Sequence, residues 1–304
     1  MEKLQINPKN GEVYFNIGIP RYITGRYEEI NKIIDDCGEA LEINPMSAEV
    51  YYIMGILKLR LANYGGAIDE FNKAIENFNK AIEINPKISK FYFNRGISKS
   101  GIKDYSGAIQ DYNKAIEINN KSEYSYNNRG NSKAALKDYS GAIEDFNKAI
   151  EINPAIAIFY FNRGVSKSGL QDYNSAIQDY NKAIEICDFY AEFYLSKGFS
   201  KFKLQDYSGA IQDFNKAIKF NPKYAEAYYN RGYSKANLKD YVGAIQDFNK
   251  AIELNPKFAE AYYKRGNSKN KNGDKNGAFL DWSKAGELGY KEAYEYIKKN
   301  NLLL

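Results

Sequence analysis

The chain has 304 residues, of which 44% are hydrophobic and 15% are aromatic, so it has ample apolar material for a folded core. It contains no histidine, which removes the commonest general base and metal ligand from consideration. The net charge of +5 is spread along the chain, which argues against a nucleic-acid-binding face, and no apolar run approaches the roughly 18 residues of a membrane span.

The first residues, MEKLQINPKN, lack the apolar core of a signal peptide, so we expect a cytoplasmic protein. Residues 1–10 are predicted to be the end of a half-repeat or an N-terminal cap, because LQINP at residues 4–8 matches the end of later units. Cys37 and Cys187 have no metal-like spacing and are expected to be free thiols in a reducing compartment.

Residues 11–88 are predicted to form two divergent helical units with insertions. The first centres on Gly18, with Tyr14 before it in the same helix, and Pro20 is expected to end or kink that helix. The second centres on Gly55 and contains a duplicated heptad, FNKAIEN followed by FNKAIEI, in residues 71–84. Seven residues are nearly two turns, so this helix can lengthen without losing its apolar face.

Residues 89–292 contain six regular units, and a glycine marks each of them at a constant interval. These glycines are Gly96, Gly130, Gly164, Gly198, Gly232 and Gly266. Around each glycine a tyrosine, two alanines and an aromatic residue recur in phase, as Tyr126, Ala142, Phe146 and Ala149 do around Gly130. These spacings predict two amphipathic helices in each unit, and an aspartate between them can cap the second helix. Residues 291–304 are predicted to form a capping helix and tail.

A helix–turn–helix unit of about 34 residues, with these small and aromatic positions, resembles the tetratricopeptide repeat family over about residues 11–292. The resemblance implies an all-α fold, a right-handed superhelical α-solenoid with a concave groove. In this chain it would comprise about eight such units followed by the C-terminal capping helix.

The units depart from the family pattern at two positions that are usually apolar or aromatic. Arginine or lysine stands just before each glycine, lysine stands three residues after it, and an aspartate precedes the aromatic residue of the second helix. Because the number of acids matches, we predict repeated pairs such as Arg129 with Asp145. The alternative is that the Arg and Lys rows form an anion or small-ligand receptor.

In the family the remaining face of the first helix lines the groove. Two residues before the glycine the units carry a ladder of asparagines, which a lysine continues. Its members are Asn16, Asn94, Asn128, Asn162, Asn230 and Lys264. Because asparagine both donates and accepts, such rungs could pair with the main chain of an extended peptide, and the resemblance supports this interpretation. The alternative is that asparagine is frequent here, or caps neighbouring helices.

Two rows beside the ladder vary between units, which is typical of positions that set specificity. They lie three residues before and one residue after the glycine. The candidates are Phe93, Asn127, Phe161, Tyr229 and Tyr263 in the first row, and Asn131, Phe199, Tyr233 and Asn267 in the second. Packing between units is the alternative for the apolar members. Glu192, Glu226 and Glu260 make the later part of the groove acidic, which favours a neutral or basic ligand.

The sequence therefore predicts a non-catalytic protein–protein interaction scaffold that binds an extended peptide or partner segment in its groove. We expect no catalytic residues, metal or cofactor, and no nucleic-acid or membrane partner. A second hypothesis is a structural array that self-associates end to end. A third is the anion receptor built from the Arg and Lys rows.

Overall fold

The computed structural model describes residues 5–6, 13–14, 27–47, 50–51, 57 and 64–299. Near its start, β1 (Gln5–Ile6) pairs antiparallel with β2 (Val13–Tyr14), and Gln5 lies opposite Tyr14. The prediction of Tyr14 in a helix is therefore wrong, since Val and Tyr favour the extended conformation in which this short ladder holds them. The predicted ladder residue Asn16 lies outside the described residues.

The other described elements are α-helices. In residues 1–153, a first compact segment, they are α1 (Tyr27–Ile43), α2 (Tyr64–Ile84), α3 (Ser89–Gly101), α4 (Tyr105–Ile118), α5 (Glu123–Ala135) and α6 (Tyr139–Ile152). As the duplicated heptad predicts, α2 runs unbroken through both copies. It buries Ala74 and Phe78 against Tyr51 and Phe91.

A second compact segment spans residues 154–304. Its described helices are α7 (Ala157–Gly169), α8 (Tyr173–Ile186), α9 (Ala191–Lys203), α10 (Tyr207–Phe220), α11 (Ala225–Asn237), α12 (Tyr241–Leu254), α13 (Ala259–Lys271), α14 (Lys275–Glu287) and α15 (Lys291–Lys299). From α2 onward, consecutive helices within each segment pack in helix–turn–helix order, so the fold is an all-α tandem repeat, as predicted.

The glycine of each repeat allows its two helices to approach closely. A methyl group added at Gly130 in α5 would lie 2.8 Å from Cε1 of Phe146 in α6, closer than carbon atoms pack. Ala142 and Ala149 on the same face of α6 are fully buried. The small and aromatic positions of the repeat therefore form the contact between its first and second helices.

A tight turn joins the two helices of a regular repeat. Lys137 has a positive φ of 65°, and Asp138 after it caps α6 by accepting a hydrogen bond from the N–H of Gly141 at 3.0 Å. The same cap recurs at Asp104, Asp172, Asp206, Asp240 and Asp274. The predicted capping role of these aspartates is thus confirmed.

Candidate functional site

The Arg and Lys rows of the first helices are engaged in internal ion pairs. Arg129 donates to both carboxylate oxygens of buried Asp145, with Nε 2.9 Å from Oδ2, and Nζ of Lys133 lies 2.9 Å from Oδ2. Equivalent pairs are Arg95–Asp111, Arg163–Asp179, Lys197–Asp213, Arg231–Asp247 and Arg265–Asp281. The predicted pairing is confirmed.

The arginines also join one repeat to the preceding one. Nη1 of Arg129 donates to Oδ1 of Asn113 at 2.7 Å, and its guanidinium lies 5.4 Å from the centre of the Tyr126 ring. The same arginine–asparagine bond recurs at Arg95–Asn79, Arg231–Asn215 and Arg265–Asn249. Because these contacts occupy most of the guanidinium donors, nothing in the geometry favours the anion-receptor hypothesis.

The asparagine ladder is only partly accessible. Asn94 is buried, whereas Asn128, Asn162 and Asn230 are half-buried. Oδ1 of Asn128 accepts a hydrogen bond from its neighbour Asn127 at 3.0 Å. Of the ladder residues, the half-buried asparagines are therefore more accessible to a ligand than Asn94 is.

The side chain of Lys264, the last member of the ladder, contacts Tyr233 of the preceding repeat. Its Nζ lies 4.3 Å from the centre of the Tyr233 ring and 3.3 Å from the Tyr233 hydroxyl. This cation–π contact holds the ammonium group on the aromatic face. Lys264 and Tyr233 therefore cover the surface where α11 and α13 meet.

The row three residues before the glycine packs largely between repeats. The ring of Phe161 lies 4.8 Å from that of Phe193, and buried Tyr229 lies 4.8 Å from Phe258 and donates to Glu260 at 2.6 Å. Burial, and then the hydrogen bond to Glu260, raises the pKa of Tyr229 above its usual range. The remaining members either contact an aromatic ring (Phe93 with Tyr112, Tyr263 with Tyr290) or, as Asn127 does, lie buried. Inter-repeat packing therefore accounts for most of this row.

The row one residue after the glycine is more accessible. Asn131 is exposed, and Phe199 exposes 37% of its surface. Asn267 instead accepts a hydrogen bond from Nε1 of Trp282 at 2.9 Å. Phe199 is thus the aromatic candidate with the most surface available for a ligand.

A pocket of about 310 Å³ brings several of these candidates together in the second segment. Helices α7, α9 and α11, the first helices of three successive repeats, supply all but one of its lining residues. These are Val165, Ser168, Tyr180, Leu195, Ser196, Phe199, Glu226 and Asn230. The structure therefore joins Phe199 and Asn230, two of the predicted site residues, in one cavity.

Sequence reasoning missed Ser168 and Tyr180 in this pocket, because the aromatic residue of the second helix was interpreted as core only. A signal was present. Where that aromatic residue is tyrosine, as at Tyr112 and Tyr180, a serine stands at one fixed distance before it, and the repeats with phenylalanine lack this serine. Burial raises the pKa of Tyr180 above its usual range, and hydrogen bonding to Ser168 lowers it by less.

One glutamate, Glu226, lines the pocket, and a second, Glu192, lies at the equivalent position of the preceding repeat. Glu192 and Glu226 lie exposed in the first turns of α9 and α11, and neither forms an ion pair or a hydrogen bond with the described residues. By contrast, glutamates on the second helices pair with a lysine three residues earlier, as Glu185 does with Lys182. Burial, and then the charges of Glu192 and Glu226, raises the pKa of Tyr224. The negative charges of both carboxylates therefore reach the surface around Tyr224.

Within the described part of the chain, no group of three or more cysteine, aspartate or glutamate side chains is arranged to hold a metal ion. No helix there combines the length and apolarity needed to cross a membrane.

Models of the tetratricopeptide repeat match most of the repeats. The matched residues are 57–88, 89–122, 123–155, 157–189, 225–258 and 248–279, and a model described as a TPR repeat matches residues 198–239. No curated protein matches the chain.

Solved structures of repeat proteins are similar to this chain. The crystal structure of MamA is 27% identical with a TM-score of 0.51, and the match covers 54% of this chain and 96% of MamA. YrrB, described as a TPR protein with an unusual peptide-binding site, is 24% identical with a TM-score of 0.52 over 60% of this chain and 95% of its own. A tetratricopeptide repeat protein from Parabacteroides merdae is 20% identical with a TM-score of 0.58, over 89% and 98%. The last two likenesses concern the fold alone.

Proposed function

Because the chain belongs to the tetratricopeptide repeat family, we propose that it is a non-catalytic scaffold that binds an extended segment of another protein in a concave groove lined by the first helices of its repeats. The observation that carries this proposal is the pocket between α7, α9 and α11. It combines apolar walls with a few polar groups, a composition typical of binding sites.

The half-buried asparagines supply the main-chain contacts in this proposal. Asn162 and Asn230 occupy the ladder position of their repeats, and Asn230 lines the pocket. An extended peptide has an unpaired N–H and C=O at most residues, and an asparagine amide can pair with both. YrrB, a protein of the same fold, is described as having a peptide-binding site, so the proposal asks of this fold a kind of binding already described for one of its members.

The partner segment would be neutral to basic, because Glu226 lines the pocket and neither it nor Glu192 is paired among the described residues. The scaffold would work in a reducing compartment such as the cytoplasm, since Cys37 and Cys187 are free. Burial raises the pKa of Cys37 to about 12, so this thiol is inert and its role is packing. The proposal includes no nucleic-acid, membrane or cofactor partner.

Selection from a displayed library of short random peptides tests this function directly. The full chain should enrich peptides over bare resin, and the double variant Asn162→Ala/Asn230→Ala should bind the enriched peptides about tenfold more weakly, as expected from losing two hydrogen-bonding side chains. Asn181→Ala is the matched control, because Asn181 lies exposed on α8, a second helix. Binding that survives in the double variant would remove the ladder from the proposal, and a selection that enriches nothing would overturn the scaffold function.

A further inference from the structure

The pocket between α7, α9 and α11 has the size and lining of a receptor for a single side chain. Its volume of about 310 Å³ lies at the small end of the roughly 300–1,000 Å³ range of ligand pockets, enough for one large side chain with its main chain. Val165, Leu195 and Phe199 form apolar walls. Val165 and Phe199 remain 42% and 37% exposed, so burying them against a ligand would be favourable.

Each of the helices that line the pocket contributes polar groups, including Ser196 of α9. Ser168 and Tyr180 come from α7 and α8, whereas Glu226 and Asn230 both come from α11. The ammonium group of Lys203 lies 5.2 Å from the centre of the Phe199 ring, and no salt bridge joins it to Glu226. The carboxylate of Glu226 therefore remains available to a cation brought by a ligand.

The chain itself offers a comparison for this pocket, two repeats earlier. Residues 91–101, FYFNRGISKSG, match residues 159–169, FYFNRGVSKSG, and both stretches are followed by a tyrosine at the equivalent of Tyr180. The repeat after the earlier stretch, however, carries asparagine at positions 127, 128 and 131, where the later one has Leu195, Ser196 and Phe199. The serine and tyrosine are thus kept while the walls change from polar to apolar, which is the variation expected of a specificity-determining surface.

From these observations we infer that the pocket binds one leucine or phenylalanine side chain of an extended partner segment, and that Glu226, supported by Glu192, selects a lysine or arginine next to it. This inference rests on the proposed function and specifies its ligand. The apolar side chain would lie against Val165, Leu195 and Phe199, with Asn230 pairing to the main chain beside it. The neighbouring cation would pair with Glu226, a charge-assisted contact that discriminates against acidic segments, and the charge of Glu192 would add to the attraction.

The experiment is the same displayed-library selection, with full-length variants whose new residues come from the chain itself. Leu195→Asn/Phe199→Asn installs the side chains found two repeats earlier, and Glu226→Lys installs the residue found at Lys90, four repeats earlier. Leu280→Asn is the control, because Leu280 lies on α14 away from the pocket and is also exposed. Far-UV circular dichroism establishes that each variant is folded.

Peptides enriched by the natural chain should contain leucine or phenylalanine with lysine or arginine within a few residues. Leu195→Asn/Phe199→Asn should weaken their binding at least about tenfold, Glu226→Lys should shift the enriched charge from basic to acidic, and Leu280→Asn should change neither. In methyl NMR spectra, a synthetic peptide of the enriched sequence should move the resonances of Val165 and Leu195.

Different results would overturn the scaffold function and the specificity inferred for the pocket. Peptides that bind the pocket variants as well as the natural chain, or that carry no apolar and basic pair, would overturn this inference and leave the scaffold function standing. Selection of no peptide at all would overturn both.

Discussion

Lys197 of α9 contacts Asp213 of α10 through a single ion pair, with Nζ 3.1 Å from Oδ1, where the equivalent arginine of the next repeat holds both carboxylate oxygens of Asp247. Lys201 supplies the second contact of this carboxylate, with Nζ 2.8 Å from Oδ2 of Asp213. A lysine here also cannot make the guanidinium contact that joins Arg231 to Asn215. The first helix of this repeat therefore makes fewer hydrogen bonds to the neighbouring helices than the first helix of the next repeat does.

Lys197→Arg should stabilise the protein by about 1 kcal/mol, because a guanidinium can donate to both oxygens of Asp213 where Lys197 contacts only Oδ1. The reverse change, Arg231→Lys, should destabilise it by a similar amount. Urea unfolding followed by far-UV circular dichroism measures both. Equal midpoints for Lys197→Arg and the natural chain would show that a lysine suffices at this position.

The same substitution, glycine to alanine, should have opposite effects at two positions. Gly130→Ala should destabilise the protein by about 1–3 kcal/mol, because the new methyl group would lie 2.8 Å from the Phe146 ring and 3.2 Å from the backbone oxygen of Ala142. A methyl group placed on Gly38 in α1 has no atom of the described residues within 4 Å, so Gly38→Ala should stabilise by up to about 1 kcal/mol through helix propensity. Thermal unfolding of the two variants tests the sign, and destabilisation by Gly38→Ala would contradict the open space found at Gly38.

Tyr180→Phe should protect the fold at alkaline pH. Since burial raises the pKa of Tyr180 above that of an unfolded tyrosine, near 10, its phenol contributes no pH dependence below about pH 10. Above that pH the unfolded phenol ionises while the folded one stays neutral, so stability falls as pH rises toward the folded pKa. Phe146 and Phe214 occupy the equivalent position in neighbouring repeats, so phenylalanine is compatible with the fold.

The measurement for Tyr180→Phe is urea unfolding at neutral pH and at several values above about pH 10. At neutral pH the variant should lose at most about 1 kcal/mol, for the hydrogen bond to Ser168. Above pH 10 the difference should move in the variant's favour. A difference that stays constant with pH would show that Tyr180 ionises as easily in the folded protein as in the unfolded one.

The sequence predicted the repeat, the aspartate caps and the Arg129–Asp145 type of pair, because each follows from a spacing that recurs in every regular unit. It did not predict that Tyr229 would be buried against Phe258. Helical spacing determines which residues share a face of α11, but not how far the neighbouring repeat covers that face. The pocket was missed for the same reason, since it depends on how three helices pack.

Secondary structure was hardest to predict where the sequence departs from the repeat. Tyr14 was assigned to a helix by its distance from Gly18, yet it pairs with Gln5 in a strand. The distance between a tyrosine and a glycine carries weight only when it recurs with the other positions of the repeat. At this divergent end the local preference of Val13 and Tyr14 for an extended conformation prevails.

The turn between the two helices of a repeat offers a last test, because it forces a left-handed backbone on residues with side chains. Lys103, Lys137 and Lys239 have φ between 64° and 66°, and the equivalent residue of a later repeat is Gly273. A left-handed conformation costs an ordinary residue about 1–2 kcal/mol, and glycine avoids this cost but loses more entropy on folding. Lys137→Gly should therefore stabilise the protein by about 0.5–1 kcal/mol.

Replacing the glycine of this turn by alanine measures what the left-handed backbone alone costs in free energy of unfolding. Gly273 has no atom within 4 Å of a methyl placed on it, so Gly273→Ala should destabilise the protein by about 1 kcal/mol through its φ of 94° alone. Urea unfolding of both variants gives the two free-energy changes, which should be opposite in sign. If Lys137→Gly were destabilising, the Lys137 side chain would have to contribute more to the turn than its backbone conformation costs.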